Sequence, residues 1–419
     1  MKRYLLFVIA ILVHAHPVHA AGSLTLDEAL ATALQNHPRI LEAKENLAGA
    51  EARAGRAAAG FYPQIGMVND WSKGRTFLTA LEKVRSTEVT STTLQLHQTI
   101  YDFGRTAGAV AAARSYRDAA GQEVTVSRLD LGLRVRVAFY QLLATEKQLA
   151  ATRETVAARE AVYLQALEFF KEGLRARVDV ARAEANLFAA RTALIRAENG
   201  RELARVELAN ALGVASLGDL SPVEPARLQA ALPDRGQAHQ EALRSRGEMQ
   251  QLAALASAAG AELKSAKGSY LPILSGSASY GYADRDFPPD GRVWGVGLNL
   301  TVPLFSGFSS PEQVREASAA LNASAARQES LKLQIGKEVD SAWLGVNEAA
   351  ARMVSAEKQV AAAEENRALA EGRYQEGVGS IIEVTDAQSL ALEASTTRIQ
   401  AQYDYYTALA LLDRGMGRP

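Results

Sequence analysis

Cysteine is absent from all 419 residues. That excludes a disulfide framework, thiolate metal sites and a lipid carried on an N-terminal cysteine. An excess of charge of one sign is missing too: 46 lysines and arginines face 47 aspartates and glutamates. With no basic run, nothing points to nucleic acid as a partner. Past the N-terminus, no apolar run approaches the roughly 18 residues of a membrane-spanning helix. Histidine is scarce, and His37, His97 and His239 stand alone without metal-ligand spacing, so neither a metal nor a cofactor is expected. Gly291 to Gly297 is too sparse for a phosphate cradle. No nucleophile–base or paired-carboxylate constellation stands out, and the chain is not expected to be an enzyme.

What is present begins with a leader. Lys2 and Arg3 precede an apolar run from Tyr4 to Val13, then Pro17 and Val18-His19-Ala20. This reads as a secretory signal peptide, residues 1–20, cleaved after Ala20. Farther on, Ile335, Val339, Ala342, Val346, Ala349, Met353, Ala356 and Val360 recur alternately four and three residues apart. That 3.5-residue period belongs to helices that supercoil on a neighbour. Subtracting 204 returns Leu131, Val135, Ala138, Leu142, Thr145, Leu149, Thr152 and Val156, the same seam in the same register. The chain therefore holds two repeats.

The first repeat spans 21–214. Thr25 and Glu28 form a capping-box pattern at its start, and His37-Pro38 interrupts the helical stretch 26–59. Strands at 64–72 and 91–101 follow, then a long helix at 105–172 and another at 176–213. Residues 215–237, with Pro222, Pro225 and Pro233, are the linker. The second repeat, 238–419, matches in order: helix 238–268, strands 273–283 and 292–303, long helix 311–375 and helix 381–413. A helix of nearly 70 residues is roughly 100 Å long, and the two shorter helices of each repeat, end to end, nearly equal it. The expected molecule is an elongated rod.

The strand segments have a different texture. Thirteen of the 27 aromatic residues fall within 61–103 and 270–308. Trp294, Val296, Leu298, Leu300 and Val302 alternate with Gly295, Gly297, Asn299 and Thr301, the pattern of a transmembrane β-barrel wall. A soluble hairpin with one face on a core is the plainer reading, but no partner sheet is available to cover that face. The smallest spanning barrels have about eight strands, and an open edge is not tolerated in lipid. Four strands per chain therefore require several copies to share one barrel.

Leu24-Thr25-Leu26-Asp27-Glu28-Ala29-Leu30 with His37-Pro38, Phe61-Tyr62-Pro63, and two tip segments complete the pattern. The tips are Phe170-Lys171-Glu172-Gly173-Leu174 with Val178-Asp179-Val180, and Tyr374-Gln375-Glu376-Gly377-Val378 with Ile382-Glu383-Val384. In this order, duplicated, they make the chain resemble the TolC family of outer-membrane efflux proteins over essentially the whole mature length. The resemblance implies a mainly α fold with a small β part: a homotrimer with a shared 12-stranded barrel in outer-membrane lipid and a 12-helix α-barrel spanning the periplasm. It further implies a passive exit duct for efflux or type I secretion, docked to a periplasmic adaptor and an inner-membrane pump of RND, ABC or MFS type. The rival reading is an exported coiled-coil structural or adaptor protein that never enters a membrane.

By position in that family, Asp179, Tyr374, Glu383 and Asp386 fall at the periplasmic entrance. Glu383 and Asp386 lie three apart, on one helix face, and threefold repetition makes stacked carboxylate rings that favour cations. Glu383 also reads as the last residue of a capping box begun by Ser380, and Asp179 as a surface partner of Arg175 or Arg177. Gly173, Leu174, Gly377 and Val378 match the tips that meet the adaptor, although glycine also suits a plain helix reversal. One departure stands out. Well-known members carry an arginine where this chain has Gly379, facing a threonine where it has Val178, so the closed state is expected to be held differently, by Arg175 or Arg177, or to be held weakly.

Overall fold

The structure, a computed structural model, describes residues 22–78, 82–225 and 232–419. The expected signal peptide and its cleavage site lie outside the described residues, as do residues 226–231 of the linker. The chain divides into two compact units, and each draws on both sequence repeats.

One unit comprises residues 38–78, 82–131, 232–346 and 411–419. It holds helix α2 (Pro38–Ala58), strands β2 (Gln64–Leu78) and β3 (Lys83–Tyr101), and the start of α3 (Arg105–Lys171). From the second repeat it takes α5 (Arg235–Ser245), α6 (Gly247–Lys267), β5 (Ile273–Asp284), β6 (Arg292–Thr301) and the start of α7 (Ser309–Gln375). Its helical core is built largely of alanine: Ala43, Ala50 and Ala54 on α2, Ala112 and Ala119 on α3, Ala258, Ala259 and Ala266 on α6. Small side chains on supercoiling helices let the backbones approach closely.

The other unit comprises residues 22–37, 132–225 and 347–410. Here α1 (Leu26–Asn36) begins with the expected capping box: the Glu28 amide donates to Thr25 Oγ1 at 3.3 Å, and the Thr25 amide donates to Glu28 Oε2 at 2.9 Å. A short parallel pair, β1 (Ser23–Leu24) and β4 (Ser221–Pro222), ties the start of the repeat to the linker. The rest is the far part of α3, α4 (Arg177–Leu212), the far part of α7 and most of α8 (Ile381–Met416).

The repeat is visible in the elements. Helices α3 and α7 are each 67 residues and α4 and α8 each 36, all offset by 204. The seam residues Leu131, Val135, Leu142, Leu149, Ile335, Val339, Val346, Ala349 and Ala356 are buried. Thr145 and Thr152 sit in the same seam because their hydroxyls donate back to the Leu142 and Gln148 carbonyls at 2.9 and 2.8 Å, leaving no polar group unmet.

Several boundaries differ from the sequence reading. The strands read as 64–72 and 91–101 extend to 64–78 and 83–101. Their added length carries polar residues, held in part by Lys73 and Glu88 paired across the strands at 2.9 Å, so the apolar alternation that marks a strand is absent there. The helix read as 238–268 is two, α5 and α6. They break at Arg246, whose backbone is extended (φ −69°, ψ 124°) without any proline. Helix α5 also begins inside the stretch read as linker, capped by Asp234, and α8 runs on to Met416.

Candidate functional site

The four long strands form one antiparallel sheet in the order β2-β3-β5-β6. Register sorts its faces. One row reads Met67, Leu94, Tyr280, Trp294, and the next on the same face Ile65, Leu96, Ala278, Val296. Opposite rows read Gln64, His97, Ser277, Gly297 and Gly66, Gln95, Ser279, Gly295. The first face is apolar yet uncovered: Trp294 is 73 % exposed, Val296 80 % and Leu298 75 %. Water does not tolerate so continuous an apolar surface, whereas lipid requires it. Strands β2 and β6 are not paired with each other, so among the described residues the sheet has two open edges. Aromatic residues gather where the strands meet the long helices: Tyr101 lies edge-on to Phe103, and Phe305 edge-on to Phe308. No helix among the described residues is long and apolar enough to cross a membrane.

The second site lies in the other unit, where α3 turns into α4 and α7 into α8. Gly173 and Gly377 adopt φ of +74° and +79°, the left-handed conformation that closes a helix end. The Leu174 and Val378 amides donate back to the Phe169 and Arg373 carbonyls at 2.9 and 3.0 Å, so the two turns are built alike. Leu174, Val178 and Val378 are exposed at these turns.

Tyr374 points inward. It is almost fully buried among Val162, Ala166, Ala183, Ala370, Ile381, Val384 and Ala387, edge-on to Phe169 at 5.8 Å, and its hydroxyl has no hydrogen-bond partner among the described residues. Burial raises the phenol above its ordinary pKa, the Asp179 charge raises it further, and Arg175 opposes both. Glu383 is exposed and serves two functions: its amide donates to Ser380 Oγ at 3.2 Å, and its carboxylate lies 3.6 Å from Arg373 Nε. Asp386, one turn on, is exposed and makes no ion pair among the described residues. Asp179 is partly exposed in the first turn of α4.

From sequence alone, Arg175 and Arg177 are both candidates for holding the closed state, and a weakly held one is the alternative. The structure separates them. Arg175 Nη2 donates to the Gly377 and Gly379 carbonyls at 2.8 and 2.6 Å, while Arg177 is exposed. The 204-residue offset does not separate them, because it aligns Arg175 with Gly379 and Arg177 with Ile381, an uncharged residue in each case.

Comparison with known proteins follows the same lines. The model of the outer membrane efflux protein family matches residues 29–214 and 238–418, most of both repeats. The chain belongs to this family. It is 26 % identical over 411 residues to Protein CyaE of Bordetella pertussis, covering 94 % of this chain and 85 % of that one. It is 24 % identical over 397 residues to outer membrane protein TolC of Vibrio cholerae, covering 92 % and 89 %. Among solved structures, the outer-membrane channel OprN superposes with a TM-score of 0.85 at 22 % identity, covering 94 % of this chain and 90 % of that one. The sheet is thus one chain's share of a transmembrane β-barrel, and the long helices are its share of an α-barrel. The protein is an outer-membrane exit duct for efflux or type I secretion, of a family whose homotrimeric channels work with periplasmic adaptors and inner-membrane pumps. The reading as a coiled-coil protein outside the membrane is set aside, and the family is one of channels rather than enzymes.

Proposed function

We propose that the end formed by the α3–α4 and α7–α8 turns is the periplasmic entrance of this duct, closed at rest and selective for cations. The observation that carries the reading is the division of labour at this end. Tyr374 and its neighbours pack each protomer's two hairpins together from inside, while Asp386 and Glu383 stay exposed on one face of α8. With three copies around an axis, these carboxylates stack as rings, and Asp179 adds a third acidic position. Rings of carboxylate draw cations and repel anions at close range. Glu383 contributes less per residue, because Arg373 answers part of its charge.

Leu174 and Val378, carried on the turns that Gly173 and Gly377 close, are the apolar knobs offered to the periplasmic adaptor. Isolated apolar side chains at a rigid, solvent-facing end suit a partner helix or hairpin with complementary holes. A leader cut after Ala20 delivers the chain to export.

Changing Glu383 and Asp386 together to alanine is expected to lose most of the cation preference measured as reversal potential in planar lipid bilayers under a salt gradient. The single Asp386→Ala change should have the larger share. Selectivity equal to that of the unaltered channel would discard the acidic rings and leave Glu383 only as the residue whose amide the Ser380 hydroxyl caps.

A further inference from the structure

The sheet's outward face changes character where its hairpins turn, and not in the same way on every strand. On edge strand β2 the outward residues run Ile65, Met67, Asn69, Trp71 and then Lys73 and Arg75. On the other edge, β6, they run Leu298, Val296, Trp294 and then Arg292. Each edge strand thus reaches an exposed tryptophan with a cation two residues beyond it. The two inner strands end on acids: Glu88 of β3 lies across from Lys73, and Asp284 of β5 follows Tyr280 and Tyr282 on the same face.

These acids do not neutralise the edges. Glu88 pairs with Lys73 at 2.9 Å, and Asp284 accepts from the amide of Arg285 in its own loop. Arg75 and Arg292 are exposed and make no ion pair among the described residues. Strands β2 and β3 also keep pairing past the last partner of β5, through seven more pairs from Ser72–Val89 to Leu78–Lys83. That is about 24 Å of two-stranded ribbon, a form only marginally stable in water by itself.

Closing the barrel concentrates the charge. Within one chain β2 and β6 are the edges, so in a ring of copies β6 of one protomer lies against β2 of the next, a head-to-tail contact that closes. Every seam then gathers Arg292 from one protomer and Lys73 and Arg75 from its neighbour, each beside its tryptophan. Like charges facing each other across strands are destabilising unless an anion lies between them. The helices leave from the opposite end of the strands, toward the periplasm, so this rim meets the outer leaflet, whose glycolipids carry phosphate. Tryptophan suits the boundary between hydrocarbon and headgroup. Arginine suits phosphate, which its planar fork binds through two parallel hydrogen bonds.

We propose that each seam between copies binds a phosphorylated glycolipid of the outer leaflet, its phosphate held between Arg292 of one protomer and Arg75 of the next. Lys73 is shared between that phosphate and Glu88. The lipid bridges two protomers and gives the projecting ribbon a surface to lean on. None of this requires the acidic rings at the helix turns.

The test is native mass spectrometry of purified, delipidated trimers in detergent, titrated with bisphosphorylated lipid A or with the same lipid stripped of its phosphates. The unaltered trimer should hold three phosphorylated molecules and bind the stripped lipid on the order of tenfold more weakly or worse. Arg75→Ala and Arg292→Ala should each weaken binding of the phosphorylated lipid on the order of tenfold, and the double variant should no longer distinguish the two lipids. Arg75→Lys, which keeps the charge but not the fork, should fall between. Lys83→Ala, which removes a cation from the other face of the ribbon, should bind like the unaltered protein. Inorganic phosphate at millimolar concentration should leave the lipid in place. Equal binding of the two lipids by the unaltered trimer overturns the proposal without recourse to any variant. Unchanged binding in both arginine variants overturns it as well. Displacement by inorganic phosphate would make this a site for the free anion, and the lipid assignment would fall.

Discussion

Val296→Arg in β6 is expected to keep the protein out of the outer membrane. Val296 sits mid-strand, opposite Ala278 of β5, in the apolar row that continues through Leu96 and Ile65. At 80 % exposure it buries little against the protein, so in water the substitution would be nearly harmless. In lipid it is not. An arginine at the bilayer midplane of a barrel costs about 2–4 kcal/mol, and threefold symmetry places three around the same ring. The control lies on the neighbouring strand, one register position along. Ser277→Arg, on the opposite face beside Gly297, points into the lumen and should insert normally while altering conductance. Outer-membrane fractionation together with heat-modifiable mobility on SDS gels reads both. Normal insertion of the Val296→Arg protein would show that this face does not meet lipid.

The second large effect belongs to the break between α5 and α6. Arg246 is buried there, and its guanidinium donates to Glu248 at 2.8 Å and to Glu338. Arg414 of α8 completes the cluster, donating to Glu248 and to Asp130 of α3 at 2.6 Å each. Arg246→Ala removes the buried cation of this network, so that Glu338 loses its arginine and Glu248 keeps only Arg414, and breaking a buried pair in this way typically costs about 3–5 kcal/mol. The midpoint of thermal unfolding in detergent should fall by several degrees. A change as small as that of an exposed salt bridge would show the cluster to be solvated.

The same cluster predicts a dependence on pH. Burial works to raise the Glu248 pKa, but hydrogen bonds from Arg246 and Arg414 outweigh it and bring it down from 4.5 to about 2. A carboxylate whose folded pKa is depressed stabilises the fold fully above its unfolded value, and that contribution disappears as the pH falls through the folded one. Stability should therefore decline between about pH 4.5 and 2 in the unaltered protein. In Glu248→Gln that part of the decline should be missing, because the variant lacks the titrating group.

Sequence and structure agree where one periodicity dominates locally. The 3.5-residue seam from Ile335 to Val360, with its copy at Leu131 to Val156, located α3 and α7. The alternation from Trp294 to Val302 located β6 and the face that lipid covers. Agreement lapses where a distant residue decides. Nothing near Arg246 says that a helix must stop, since the ion pairs that hold the break come in part from Glu338, 92 residues away. Strands β2 and β3 were legible only where lipid imposes apolar alternation; beyond it, cross-strand pairing with polar residues sets their length.

The tip shows both sides at once. Spacing alone put Glu383 and Asp386 on one helix face, and glycine at 173 and 377 marked the reversals, because helix geometry and positive φ are local matters. Only the packed structure turned Tyr374 into the hairpins' interior and chose Arg175 over Arg177. Burial and reach depend on which backbones lie within a few ångströms of each other, a relation between distant stretches that no local pattern encodes.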